Sequence, residues 1–345
     1  MKLNDKIAQG QPYFIAEMSG NHGGSLEQAL EIVRKAAESG ADCLKIQTFT
    51  ADTITIDCDS EEFQTTKGGL WEGRTLYDLY NEAHTPWEWQ PVIKNECERL
   101  GMDFLSSVFD PSSVDFLETL NVEMYKIASP ELVDIPLIRY VASKGKPMII
   151  SCGMGSCEEI REAVEACRKV GNDQVILLKC TSEYPAVYED MNITTISDMK
   201  ERFDCPVGLS DHSMGYAVDI AAAVLGACVI EKHFCLSRKD KTVDSEFSME
   251  PNEFKDMVTA VRQAKAAMGQ VTYSLTDKEK KGLTGRKSLY AVRPITKGEE
   301  FTKENVRSIR PGYGLAPKYL DWVIGKTSLR DIPFGSPILE KDLEG

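Results

Sequence analysis

Eight short apolar runs punctuate the chain before residue 234, and nearly all of them end in residue types that active sites use. They are Tyr13–Glu17, Cys43–Gln47, Phe104–Ser107, Met124–Ser129, Met148–Ser151, Val175–Ser182, Val207–His212 and Val229–His233. Runs of this length, separated by helix-like stretches, predict parallel strands buried on both faces. Eight of them predict an α/β fold closed into a (β/α)8 TIM barrel, whose chemistry sits at the carboxyl ends of the strands. The polar ends of these runs fall there, so an enzyme is the first reading.

The 345 residues exceed the roughly 250 that one barrel takes, leaving room for a small second domain. A net charge of -14 argues against nucleic acid or an anionic membrane as partner. From Arg286 onward, 11 Lys+Arg stand against 8 Asp+Glu, so the tail carries +3 and the first 285 residues -17. All ten cysteines precede residue 236 and mostly sit in apolar runs with no CxxC pair. Reduced core thiols in a cytoplasmic protein fit that pattern better than a disulfide framework. The start, Met1-Lys2-Leu3-Asn4-Asp5-Lys6, has no apolar signal-peptide core. The longest uncharged apolar stretch, Ile220–Ile230, is far short of the roughly 20 residues of a membrane span.

Ser25 with Gln28 predicts a capping box, and Leu26, Ala29, Leu30, Val33 and Ala37 a helical apolar face that stops at Gly40. Strand starts recur every 21 to 32 residues, except between Cys43 and Asp103. That interval holds an insertion over 57–90, rich in glycine and aromatics, which lies on the catalytic face and either covers the site or is a surface elaboration. Helical periodicity over Glu253–Met268 closes the barrel, and Thr276–Gly282 reads as a polar linker. The expected division is therefore a barrel over 1–270, a linker over 271–285 and a small β-rich domain over 286–345.

Three of the four histidines, His22, His212 and His233, lie at strand ends. His212 and His233 end neighbouring strands, so their rings can converge on one divalent ion, with water filling the remaining positions. Lys45, Lys126, Lys179 and Lys232 lie inside strand-like runs, where an ammonium is costly unless paired or solvated. Lys45 and Gln47 share a parity and can both point into the barrel mouth. With Ser107, Ser129, Ser151, Ser182 and Ser210 around the rim, such lysines suit a phosphate and carboxylate cradle. Lys232 has the opposite parity to His233, which favours a structural pairing with carboxylates; the part of Lys179 stays open. Glu17 is either a general acid or base or the salt-bridge partner of Lys45.

Ile15-Ala16-Glu17-Met18-Ser19-Gly20-Asn21-His22, Lys45-Ile46-Gln47-Thr48, Tyr125-Lys126-Ile127-Ala128-Ser129, Gly208-Leu209-Ser210-Asp211-His212 and Ile230-Glu231-Lys232-His233-Phe234 resemble the sialic acid synthase family. The resemblance spans essentially the whole chain. The tail, with Ile309-Arg310-Pro311-Gly312-Tyr313-Gly314, looks like that family's antifreeze-like (SAF) domain.

The resemblance implies condensation of phosphoenolpyruvate with an open-chain N-acetylated sugar to a nine-carbon 2-keto acid. His212 and His233 would bind the divalent metal, Mn2+ first, with Mg2+ or Co2+ as alternatives. Lys126, Ser129, Ser151 and Ser210 would hold the phosphate, and Lys45 with Ser107 the carboxylate. Gln47, Glu131, Tyr184 and Asp244 would face the sugar. Arg310 would reach an N-acetyl group across a domain-swapped homodimer. Ser182 stands where relatives carry Asn near the phosphate, and Ser107 stands for Thr. Glu17 is the candidate for proton transfer. The insertion, through Lys67-Gly68-Gly69-Leu70-Trp71, Leu79-Tyr80 and Thr85-Pro86-Trp87-Glu88-Trp89, is most similar to members that take a diacetamido-trideoxy hexose.

Three other readings stay open. They are a sister activity making N-acetylneuraminate or legionaminate, a Schiff-base (β/α)8 aldolase using Lys126 or Lys179, and a glycan- or ice-binding tail on an inert barrel.

Overall fold

The structure, a computed structural model, describes residues 2–344. Met1 and Gly345, the outer bounds of the expected domains, lie outside the described residues. The chain divides into two compact units, up to Gly269 and from Gln270 on.

In the first unit the eight runs form the parallel strands of one closed barrel, β1 to β8 in chain order. They span Tyr13–Glu17 (β1), Cys43–Thr48 (β2), Asp103–Val108 (β3) and Tyr125–Ile127 (β4), then Met148–Ser151 (β5), Val175–Cys180 (β6), Val207–Asp211 (β7) and Val229–His233 (β8). Strand alternation separates two apolar groups. Outward residues such as Phe14, Ala16, Leu44, Ile46 and Tyr125 pack under the surrounding helices in the larger core. Inward residues Tyr13, Ile15, Cys43, Leu105, Met124, Ile149, Ile176, Leu178 and Val229 plug the barrel, and Leu3 of the helix Leu3–Ala8 joins them.

Above that plug, the same inward parity turns polar. Glu17 pairs in register with Lys45 on one side and His233 on the other. Ser107 pairs with Gln47 and Lys126, and Ser210 with Cys180 and Glu231. Strand parity thus turns all of these groups into the barrel toward its mouth. Gly208 occupies the inward position below Ser210, and a Cβ there would meet the Val229 carbonyl oxygen at 2.5 Å and Leu178 Cδ2 at 2.7 Å. Only glycine fits where those strands close.

Local differences from expectation have simple causes. Ser25 caps the helix Leu26–Glu38 through the Gln28 amide, but the Gln28 side chain donates to the Asn21 carbonyl instead of completing the box. The polar stretch expected to be a bare linker contains a short helix, Asp277–Lys281, begun by a reciprocal Thr276–Glu279 capping box. In the second unit only Ser288–Ala291 (β9) and Val306–Ile309 (β10) form an extended antiparallel ladder. The other expected strands reduce to isolated bridges, among them Ile295 with Ile332 and Tyr290 with Pro337, around a core of Leu289, Ile295, Phe301, Val306, Val323 and Ile338. No helix among the described residues is long and apolar enough to cross a membrane.

Candidate active site

The mouth of the barrel holds a buried ionic network. Lys45 Nζ lies 2.7 Å from Glu17 Oε2 and 3.4 Å from Glu231 Oε1. Lys126 Nζ donates to the same Glu231 oxygen at 3.1 Å, and so does Ser210 Oγ at 3.2 Å. Lys45 also reaches Ser107 Oγ at 3.4 Å, while Gln47 Nε2 donates to Glu17 Oε1 and to Ser19 Oγ, both at 3.1 Å. Both readings of Glu17 are therefore compatible with its position: it pairs with Lys45 and points into the barrel interior on the side of His233.

Environment differentiates these groups. Burial pushes the Glu17 carboxyl up, against the opposing pull of Lys45. Burial also works to raise Glu231, but Lys126 and Lys45 override it and hold that carboxyl below the ordinary range. Lys45, flanked by two carboxylates, is raised despite burial; Lys126, with one, is lowered by it. Glu131 follows β4 on the turn Ser129–Val133, and burial pushes it up to about 7.

A second group gathers around Gly153. Ser129 Oγ accepts from the Gly153 amide at 3.0 Å, and a Cβ on Gly153 would meet Ser182 Oγ at 2.2 Å, Ser129 Oγ at 2.8 Å and Cys180 Sγ at 3.2 Å. The Ser182 hydroxyl occupies the place that a side chain at 153 would take, so two hydroxyls and a thiol close directly on this backbone. Ser151 Oγ is buried without a hydrogen-bond partner, as are Glu231 Oε2 and one oxygen of Glu131. Such orphaned polar atoms are what a bound anion or water would satisfy. Burial opposes ionisation of the Cys180 thiol, yet His212, Ser129 and Lys126 around it bring it down to about 7.

The two imidazoles converge. His212 and His233 have ring centroids 5.3 Å apart; two imidazoles on one cation with metal–nitrogen bonds near 2.1 Å would lie about 5 Å apart. His212 Nδ1 is 2.9 Å from the Thr181 carbonyl oxygen, so in the neutral ring the proton sits on Nδ1 and the lone pair on Nε2, which faces Cys180 until a metal takes it. His233 Nδ1 is buried without a partner. Burial and the neighbouring His212 keep His233 neutral, well below the usual imidazole range. The pair therefore fits a divalent ion. Among the described residues no third His, Cys, Asp or Glu joins them, so other coordination positions fall to water or substrate.

Aromatic rings wall this side. Tyr184 lies 4.3 Å from His212 and 5.1 Å from Phe247, and Phe247 4.9 Å from His233. Trp71 of the insertion lies 5.7 Å from Tyr184 and donates from Nε1 to the Val243 carbonyl oxygen at 2.9 Å. The insertion thus touches the site. Asp244, next in the chain, is buried and accepts from the Gly20 amide at 3.4 Å.

Some residues stand elsewhere. Lys179 points outward, opposite in parity to the inward Leu178 and Cys180, and donates to the Cys180 carbonyl oxygen and Thr181 Oγ1. That removes it as a barrel nucleophile. His22 is buried against Trp89, with Nδ1 accepting from the Gly24 amide, a packing role. Arg310 is an exposed residue of the second unit, immediately after β10. Glu231, Gly153 and Phe247 escaped the sequence reading. Glu231 was signalled by its shared parity with His233; Gly153 and Phe247 had no signal.

Comparison with known proteins accounts for this layout. The NeuB family matches residues 32–273, and the SAF domain matches 286–344. The chain is 44% identical to pseudaminic acid synthase of Campylobacter jejuni, covering 99% of both chains. It is 36% identical to N,N'-diacetyllegionaminic acid synthase of Legionella pneumophila over 96% of this chain and 94% of that one. The crystal structure of an N-acetylneuraminic acid synthetase from Leptospira borgpetersenii superposes with a TM-score of 0.69 at 29% identity, over 79% of this chain and 91% of that one. The chain belongs to the NeuB family: it is a C–C bond-forming synthase on a closed eight-stranded barrel, followed by a SAF domain.

Proposed function

We propose that this chain is a pseudaminic acid synthase. It would condense phosphoenolpyruvate with open-chain 2,4-diacetamido-2,4,6-trideoxy-altrose and water, giving pseudaminate and phosphate by C–O cleavage. The observation that carries the reading is the convergence of Lys45 and Lys126, the Ser129 and Ser182 hydroxyls around Gly153 and the orphaned Ser151 hydroxyl on the same end of the barrel as the His212–His233 pair. The relative from Campylobacter jejuni and the insertion supply the choice of sugar.

In this reading Lys126, Ser129, Ser151, Ser182 and Ser210 hold the phosphate, and Lys45 with Ser107 holds the carboxylate. Gln47, Glu131, Tyr184 and Asp244 face the sugar, with Arg310 supplied by the partner of a domain-swapped homodimer. Two ammonium groups stand against the two carboxylates Glu17 and Glu231, so the cradle lacks the net positive charge that a phosphoenolpyruvate anion requires. A divalent cation on His212 and His233, Mn2+ first, would supply that charge and Lewis-acid polarisation of the sugar aldehyde.

C3 of phosphoenolpyruvate then attacks the aldehyde carbon, and water adds at C2. The C2–O bond breaks to release phosphate. Glu17, raised by burial and held by Lys45 and Gln47, takes the proton of that water.

The test is phosphate release from phosphoenolpyruvate with and without Mn2+, offering the diacetamido-trideoxy-altrose against N-acetylmannosamine. The proposal predicts Mn2+-dependent release with the first sugar. Turnover of N-acetylmannosamine alone would overturn the choice of sugar and leave the family intact.

A further inference from the structure

Behind the mouth, on the outward face of β7 and β8, lies an ionic cluster that touches no substrate position. Lys232 points opposite to Glu231 and His233 and is 1% exposed. Its Nζ pairs with Asp211, donates to the carbonyl oxygens of Ser213 at 2.8 Å and Gly215 at 2.7 Å, and reaches Asp219 Oδ2 at 3.4 Å. Asp211 in turn accepts from the Ser213 amide at 2.8 Å and from Ser213 Oγ at 3.1 Å. Asp219 comes from the helix Ala217–Val224.

These partners flank His212 on both sides, while Lys232 is bonded directly to His233. The ammonium gathers carboxylates and carbonyls around one point, as a structural cation gathers a loop. It thereby ties the backbone that carries one imidazole to the backbone that carries the other. From the opposite side the Thr181 carbonyl fixes the His212 ring. Buried ion clusters rarely add net stability over apolar packing of the same volume, so stability alone is a poor reason for this one.

We propose that Lys232, with Asp211 and Asp219, is a positioning cluster that sets the His212–His233 separation at which the two imidazoles share a divalent cation. This rests on the reading of those histidines as metal ligands.

The test uses full-length Lys232→Met and the milder Asp219→Asn. Mn2+ affinity and, at saturating Mn2+, phosphoenolpyruvate affinity are both measured by calorimetry, with near-UV circular dichroism to confirm the native fold. Loss of outer-shell support typically weakens metal binding about 10–100-fold. Lys232→Met should lie in that range and Asp219→Asn at about five- to tenfold, with phosphoenolpyruvate affinity within about threefold of the parent. Of the residues assigned to the phosphate only Ser210 shares β7 with the cluster; Lys126, Ser129, Ser151 and Ser182 sit on or after β4, β5 and β6, which is why that affinity should largely hold. If Lys232→Met does not fold, Asp219→Asn decides. Parent-like Mn2+ affinity in the folded variants, or an equal fall in phosphoenolpyruvate affinity, would overturn the proposal. A parent protein that binds no Mn2+ would instead overturn the metal reading itself.

Discussion

Two lysine clusters are buried back to back in this barrel, and they are built differently. Lys126, on the inward face, has one carboxylate partner, Glu231, and its surroundings include orphaned atoms of Ser151 and Glu231. Lys232, on the outward face, is ringed by two carboxylates and two backbone carbonyls, with a single oxygen of Asp219 left over. Burial lowers Lys126 below its ordinary range, whereas Asp219 and Asp211 raise Lys232 despite burial. An under-partnered ammonium among orphaned polar atoms is positioned to gain a ligand. A fully partnered one holds the frame.

Substitutions at the mouth should therefore damage turnover out of proportion to stability. The largest effect is expected for Glu17→Gln: loss of a general acid or base costs about 10²–10⁴-fold in kcat, while the shape of the side chain is kept. A rate within about threefold of the parent would remove Glu17 from the chemistry. Lys126→Met should lower kcat/KM for phosphoenolpyruvate about 10²–10³-fold, as removal of a charge-stabilising donor does. Its thermal midpoint should fall less than that of Lys232→Met, where breaking a buried pair costs about 3–5 kcal/mol. Equal midpoints with modest kinetic loss would erase the contrast between the clusters.

Gly153→Ala places a methyl 2.2 Å from Ser182 Oγ, so the hydroxyls must part. A misplacement of that order should raise KM for phosphoenolpyruvate about 10–100-fold, with the fold preserved. An unchanged KM in steady-state kinetics would show that the phosphate binds elsewhere.

The smallest effect concerns Glu131, which burial pushes up to about 7. A carboxyl raised in the folded state binds more protons there than in the unfolded chain. Stability from this group is therefore present below the ordinary carboxyl range and lost as pH rises toward 7. Glu131→Gln should unfold like the parent near pH 4.5 and be more stable by about 3 kcal/mol above pH 7, measured by urea titration at both pH values. A difference that stays constant with pH would contradict the assignment.

The barrel was legible because two-sided burial leaves an unmistakable apolar run, and strand parity then sorted Lys45 and Gln47 inward and Lys232 outward. Parity also held the answer for Lys179, but its run ends in Cys180-Thr181-Ser182, where polar residues blur which face is which. Glu231 sits between two stronger signals, Lys232 and His233, and only its alternation with His233 places it inside. Gly153 acts by lacking a side chain, and Phe247 arrives from a loop after β8, so neither leaves a pattern in the linear chain. The second unit was the least legible. Its order comes from single bridges such as Ile295 with Ile332, too short to produce a period.

The most direct test of the account follows the bridging oxygen. Turnover of phosphoenolpyruvate labelled with ¹⁸O at C2, with the diacetamido-trideoxy-altrose and Mn2+, should deliver the label to inorganic phosphate. Retention of the label in the nine-carbon keto acid, or turnover without phosphate release, would contradict water addition at C2 within this mouth.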